Sequence, residues 1–172
     1  MSFPDPYDED APPPALGTVV DEGRGSLPYA LIHGESLVAC ASWALGDAGV
    51  TLVDYSTTWA GIRDGQEPYV LHDALCPMTP ATFLSACVAR AVDTGSVVVG
   101  CSIGPAGRVV TSPIVLPASV VAALSELPTY DFELLVQQLS ERFPLEYAES
   151  PAVGRRVVSV PDLAALEAES TP

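Results

Sequence analysis

The chain has 172 residues, with 22 aspartates and glutamates set against 7 arginines and no lysine, a formal charge of −15. That length suits one domain, and the acidity excludes non-specific binding to nucleic acid or to an anionic membrane, both of which need clustered cations. The missing lysine excludes Schiff-base chemistry and a lysine-held phosphate.

Residues 1–14, MSFPDPYDEDAPPP, read as a disordered acidic, proline-rich tail. They have neither the basic start nor the apolar run of a targeting segment, and no later apolar run is long enough to span a membrane, so a cytoplasmic protein is expected. From Ala15 to Pro172 a single α/β domain is expected. Leu16–Val20 is a β-branched strand that ends in the turn Asp21-Glu22-Gly23. Leu37, Val38, Ala41 and Leu45 place a helix over Glu35–Leu45, with Gly46 to end it. Val50–Asp54 is the next strand, Tyr55–Glu67 a polar stretch, and Tyr69–His72 a buried strand. Thr79-Pro80 predicts a helix start, hydroxyl cap then proline, for a helix over Pro80–Val92. Ser96–Cys101 is apolar on both faces, as in a central parallel strand. Ser102–Pro113 reads as loop or hairpin, with helices over Pro117–Leu127 and Asp131–Arg142. Late strands are expected at Pro144–Tyr147 and Arg156–Val158. Ser159 with Asp162 forms a capping-box-like start to the last helix.

This alternation argues for a three-layer α/β sandwich with a mostly parallel sheet. Ligands in such sheets sit beyond the C-terminal strand ends, which points to Asp21–Gly25, Asp54–Thr58, His72–Pro77 and Cys101–Gly104. Cys40, Cys76, Cys87 and Cys101 show no CxxC spacing and read as reduced, buried thiols. Trp43 and Trp59 read as core or rim residues, Trp59 the more exposed of the two. No GxSxG turn supports a serine hydrolase.

The segment His72-Asp73-Ala74-Leu75-Cys76-Pro77-Met78-Thr79-Pro80 follows a strand and opens a helix. It resembles the HDAARP-x-T-P segment of the methylerythritol phosphate cytidylyltransferases, which transfer CMP from CTP to a sugar-alcohol phosphate. Gly23-Arg24, Pro28 and Gly34 fall in the order of that family's phosphate loop, and Arg155–Leu163 is similar to its Asn-Ile-Lys-Ile-Thr-x-Pro-Glu-Asp-Leu segment. The resemblance implies a nucleotide-diphospho-sugar transferase-like fold. It also implies Gly23 and Arg24 at the nucleotide, and Asp73, Arg156 and Ser159 at the acceptor. Arg24 and Asp73 would be the catalytic pair, with Asp73 beside a Mg²⁺ ion if the chain is active.

The departures from the family are specific. Tyr29 stands at the phosphate-loop lysine, Cys76 at the substrate arginine, and Asp21-Glu22 at small neutral residues. At about 4 Å and an effective dielectric near 20, each carboxylate–phosphate pair repels by roughly 4 kcal/mol. The base-reading segment before the histidine is shortened, with Gly61–Gly65 its only remnant. The dimer-forming β-arm is reduced to Ser102–Pro113, so the oligomeric state is left open.

Several residues keep two readings. Asp73 is either a metal-proximal ligand or the organiser of its own turn. His72 reads as a core residue rather than a base, and Arg24 as a partner of Asp21 or Glu22 rather than of phosphate. Arg155-Arg156 binds either an anion or surface carboxylates. Two functions follow: a pseudoenzyme with a binding or regulatory role, or an active, diverged nucleotidyltransferase acting on a small phosphorylated sugar alcohol. The expected partners are a nucleotide, a sugar phosphate or another protein.

Overall fold

The computed structural model describes residues 13–171; apart from Pro13 and Pro14, the acidic tail lies outside the described residues. Strands β1 (Ala15–Val20), β4 (Val50–Leu52), β5 (Tyr69–Asp73), β6 (Val97–Gly104), β7 (Gly107–Leu116) and β8 (Leu145–Glu149) form one sheet in the order β4-β1-β5-β7-β6-β8. β1 pairs in parallel with β4 and β5, and β6 with β8, whereas β7 runs antiparallel to both its neighbours. β7 is thus the one reversed strand of a mostly parallel sheet. Short strands β2 (Leu31–Ile32) and β3 (Glu35–Ser36) form a separate antiparallel pair.

The strands are apolar on both faces because both faces are covered. On one side Leu71, Val97, Val99, Ile114 and Leu116 pack under α2 (Trp59–Asp64), α4 (Ala118–Ala123) and α5 (Phe132–Ser140). On the other, Val70, Val98 and Val115 pack under α1 (Leu37–Asp47) and α3 (Ala81–Thr94). Each fully buried side chain of this size contributes on the order of 1.5–3 kcal/mol. A smaller cluster joins Ile32, Leu37, Leu75 and Val157 to Leu163 and Leu166 of α6 (Val160–Glu169). It braces the chain that leaves β5.

Several expectations change. The Tyr55–Glu67 stretch contains α2, whose first turn Thr58 caps by accepting from the Gly61 N–H. Thr79 does not cap α3: Pro80 is itself the cap residue, and the Thr79 hydroxyl donates to the Cys76 carbonyl at 2.8 Å. β6 lies next to the sheet edge rather than at its centre. Of the two readings of Ser102–Pro113, loop or hairpin, the structure has the hairpin, formed between two long strands. Arg156–Val158 is not a strand; Arg156 turns inward and the Val157 N–H bonds only to the Leu75 carbonyl. The helix expected over Glu35–Leu45 begins at Leu37, because Glu35 and Ser36 belong to β3. Trp43 lies 57% exposed on α1. Trp59 is the more buried of the two tryptophans, half-buried with its indole N–H donated to the Leu124 carbonyl at 2.8 Å.

The register of β6 against β7 shifts between Val99 and Cys101, and the residue between them is Gly100. A Cβ there would run into the Ser112 backbone carbonyl. Gly100→Ala is expected to cost about 1–3 kcal/mol, as overpacking of a rigid contact does. A thermal melt checks this; an unchanged midpoint would show that β7 can move aside.

Candidate functional site

The C-terminal ends of β1 and β5 open into two adjoining clefts. The first, of about 470 Å³, is lined by Glu22, Gly23, Arg24, Asp73, Leu75, Arg156 and the Thr129–Glu133 segment. Its floor is Asp73, the last residue of β5, which is 1% exposed. The Asp73 N–H donates to Ser112 Oγ at 2.9 Å, which seats the end of β5 against β7.

The Asp73 carboxylate is fully engaged. Oδ1 accepts from the Leu75 N–H at 2.8 Å and from Arg24 Nε at 3.4 Å. Oδ2 accepts from Arg24 Nη2 at 3.3 Å and from Arg156 Nε at 3.1 Å. A carboxylate offers about four lone-pair positions, and four donors occupy them here. Arg156 is fixed further by the Val110 and Thr111 carbonyls, each at 3.1 Å. Arg24 donates to the Glu22 carbonyl at 2.7 Å and lies 5.2 Å from the centre of the Phe132 ring. Two guanidinium groups from distant parts of the chain thus converge on one buried carboxylate. This donor set does not suit Mg²⁺, because the one buried carboxylate has no free lone pair to give. Among the described residues, no group of three His, Cys, Asp or Glu side chains comes together to hold a metal.

The second cleft, of about 720 Å³, shares Glu22 and Tyr130 with the first. Val19, Val20, Asp21, Leu52, Asp54, Tyr55, Trp59, Tyr69, Glu126 and Leu127 are among its walls. Asp21 accepts from the Tyr29 hydroxyl at 2.6 Å, a bond that raises the phenol's pKa. Asp54 Oδ1 takes the Ser56 N–H, the Ser56 hydroxyl and the Thr57 hydroxyl, which hold its pKa below the usual carboxylate value. Burial pushes the Tyr69 phenol up to about 12.

Gly23, Arg24, Asp73 and Arg156 line one cleft, while Ser159 does not. Its hydroxyl accepts from the Asp162 N–H and caps α6. The expected pairing of Arg24 with the carboxylate of Asp21 or Glu22 is replaced by the pairing with Asp73. Arg155 pairs with Glu169 at 2.6 Å, so the two adjacent arginines have different partners. Cys76 is fully buried, and that burial raises its thiol pKa, so it presents nothing to the cleft. His72 is buried against Ser112 Oγ at 2.6 Å, as a core residue should be. Asp54, Tyr55 and Thr57 line the second cleft, but Cys101–Gly104 lines neither. The wall from Glu126 to Glu133 escaped the sequence reading. Its only signal is the Ser-Glu-Leu-Pro-Thr-Tyr-Asp stretch between two helical patterns.

No family model matches the chain, and no curated protein matches it in sequence. Solved structures do. A 4-diphosphocytidyl-2C-methyl-D-erythritol synthase from Anaerococcus prevotii is similar at a TM-score of 0.63 and 11% identity, covering 93% of this chain and 99% of that one. The 2-C-methyl-D-erythritol 4-phosphate cytidylyltransferase of Thermus thermophilus is similar at 0.64 and 16% identity, covering 90% and 98%. A CMP:2-keto-3-deoxy-manno-octonic acid synthetase complexed with CTP is similar at 0.63 and 12% identity, covering 91% and 98%. At these identities the likeness is one of fold, and the chain has the α/β fold of the cytidylyltransferases.

Proposed function

We propose that this chain is a cytidylyltransferase-fold protein that binds a partner or a ligand other than a nucleoside triphosphate, and transfers no nucleotidyl group. The observation that carries this reading is the charge around the two clefts. Seven carboxylates line them (Asp21, Glu22, Asp54, Asp73, Glu126, Asp131 and Glu133) against the guanidinium groups of Arg24 and Arg156. Both guanidiniums are already paired with Asp73. Nucleotidyl transfer asks a protein mainly for position and positive charge. The clefts offer a triphosphate its own sign of charge, and Tyr29 commits its hydroxyl to Asp21 where a lysine would meet phosphate. The four cysteines are all free thiols, in keeping with a cytoplasmic protein.

Calorimetric titration with CTP, UTP, ATP and GTP in the presence of Mg²⁺ tests the reading, alongside a pyrophosphate-release assay with methylerythritol phosphate. The expected result is no saturable heat and no release. Micromolar binding of any one nucleotide, or any transfer, overturns it.

One observation favours the second reading, an active transferase that moves a nucleotidyl group from a nucleoside triphosphate to a phosphorylated sugar alcohol. Arg24 and Arg156 converge from 132 positions apart in sequence on a cleft that could take an acceptor phosphate. That chemistry calls for Mg²⁺, which the engaged Asp73 carboxylate does not suit.

A further inference from the structure

We propose that the second cleft binds a small organic polycation of the polyamine class, seated between an aromatic wall and four carboxylates. The cavity itself is the first ground, because about 720 Å³ is the size of a small-molecule site. Its wall is aromatic and fixed. Trp59 is anchored by its bond to the Leu124 carbonyl and stands edge-on to Tyr69 with ring centres 5.7 Å apart. Tyr130 completes the wall where the two clefts join. Aromatic faces attract ammonium groups through the ring quadrupole.

The carboxylates are the second ground, and their arrangement selects the kind of cation. Asp21, Glu22, Asp54 and Glu126 line the cleft, and no arginine or histidine among the described residues does so. The four carboxylate–arginine contacts among the described residues fall on Asp73, Glu146 and Glu169, and none involves these four acids. The cleft acids do not come together as a metal cage. Four carboxylates that form no three-ligand cage, beside Trp59, Tyr69 and Tyr130, fit several ammonium groups joined by methylenes better than one compact divalent ion. The proposal rests on the absence of a nucleotide from this cleft, which the preceding reading supplies.

The test uses the full chain carrying Trp43→Phe, so that Trp59 is the remaining tryptophan reporter. Spermidine is titrated at about 0.15 M salt, where charges more than about 8 Å apart are screened, with Mg²⁺ at matched ionic strength and CTP with Mg²⁺ as comparisons. The expected result is a saturable change in Trp59 emission with spermidine only. Glu22→Gln with Glu126→Gln should weaken it about tenfold, as the loss of two exposed ion pairs would. Asp47→Asn with Asp93→Asn, which removes the same charge from exposed sites outside both clefts, should leave affinity within about twofold. Equal weakening by the two pairs of substitutions, an equal response to Mg²⁺, or no saturable change overturns the proposal. If spermidine and CTP are both silent, this inference alone fails; if CTP with Mg²⁺ binds and moves Trp59, the underlying reading fails with it.

Discussion

Replacing Asp73 with asparagine is expected to destabilise the folded chain by about 3–5 kcal/mol, the range for removing one partner from a buried ion pair. The cause lies in what remains. The Arg24 and Arg156 side chains are only 10% and 21% exposed, and Asp73 is the carboxylate both of them contact. An amide keeps an acceptor for the Leu75 N–H but presents its own N–H groups to a guanidinium and removes the only negative charge between two positive ones. Neither arginine can relax freely into water, because Arg156 is tied to the Val110 and Thr111 carbonyls and Arg24 to the Glu22 carbonyl. Urea denaturation gives the measurement. The active-transferase reading expects the reverse pattern, in which Asp73→Asn abolishes turnover and leaves the unfolding midpoint in place. A midpoint within about 1 kcal/mol of the parent would show that Asp73 is not the structural anchor argued here.

The difference between the two accounts of Asp73 shows what could be read from the sequence. β1 and β5 were legible because their β-branched and aliphatic runs have one cause, burial on both faces of a sheet. α5 was legible because Phe132, Leu135, Val136 and Leu139 keep helical spacing. α2 was not, since a six-residue helix containing a glycine offers only Trp59 and Ile62 as a pattern. β7 was hidden because Arg108, Thr111, Ser112 and Pro113 interrupt its apolar run; its first half is a hairpin arm and only its second half enters the core. The site divides in the same way. The His72–Pro80 segment marks the position of Asp73, and the arginine-bearing turns mark Arg24 and Arg156. Which groups pair is a tertiary fact. Arg24 has two acids within three residues, yet it reaches a partner 49 positions away because the turn after β1 folds back over the end of β5. The aromatic and acidic wall from Glu126 to Glu133 carries no local pattern that says which cleft it will face.

Acid should unfold this chain earlier than its carboxylates alone would require, and His72 is the reason. Its ring is fully buried, with Nδ1 against Ser112 Oγ and Nε2 without a partner among the described residues. A charged imidazole needs two acceptors, and only one is at hand. Burial therefore pulls the His72 pKa from 6.5 down to about 4, against the smaller opposing pull of the Asp73 charge. Well above pH 6.5 the ring is neutral in both states and contributes no pH dependence. As pH falls from about 6.5 to about 4, the unfolded chain takes up a proton that the folded chain refuses, so stability falls, by about 3 kcal/mol over that window. Urea midpoints taken at intervals from pH 7 to 5, above the range where most carboxylates titrate, should decline in the parent and stay flatter in His72→Gln. His33, bonded to Ser170 Oγ, is present in both proteins, so the difference between the two slopes belongs to His72. Parallel slopes would mean that the buried ring accepts a proton readily. Because Ser112 Oγ holds both the His72 ring and the Asp73 N–H, the same substitution should also lower the parent's stability at pH 7, where no proton is involved. That offset separates the loss of packing and hydrogen bonding from the titration itself.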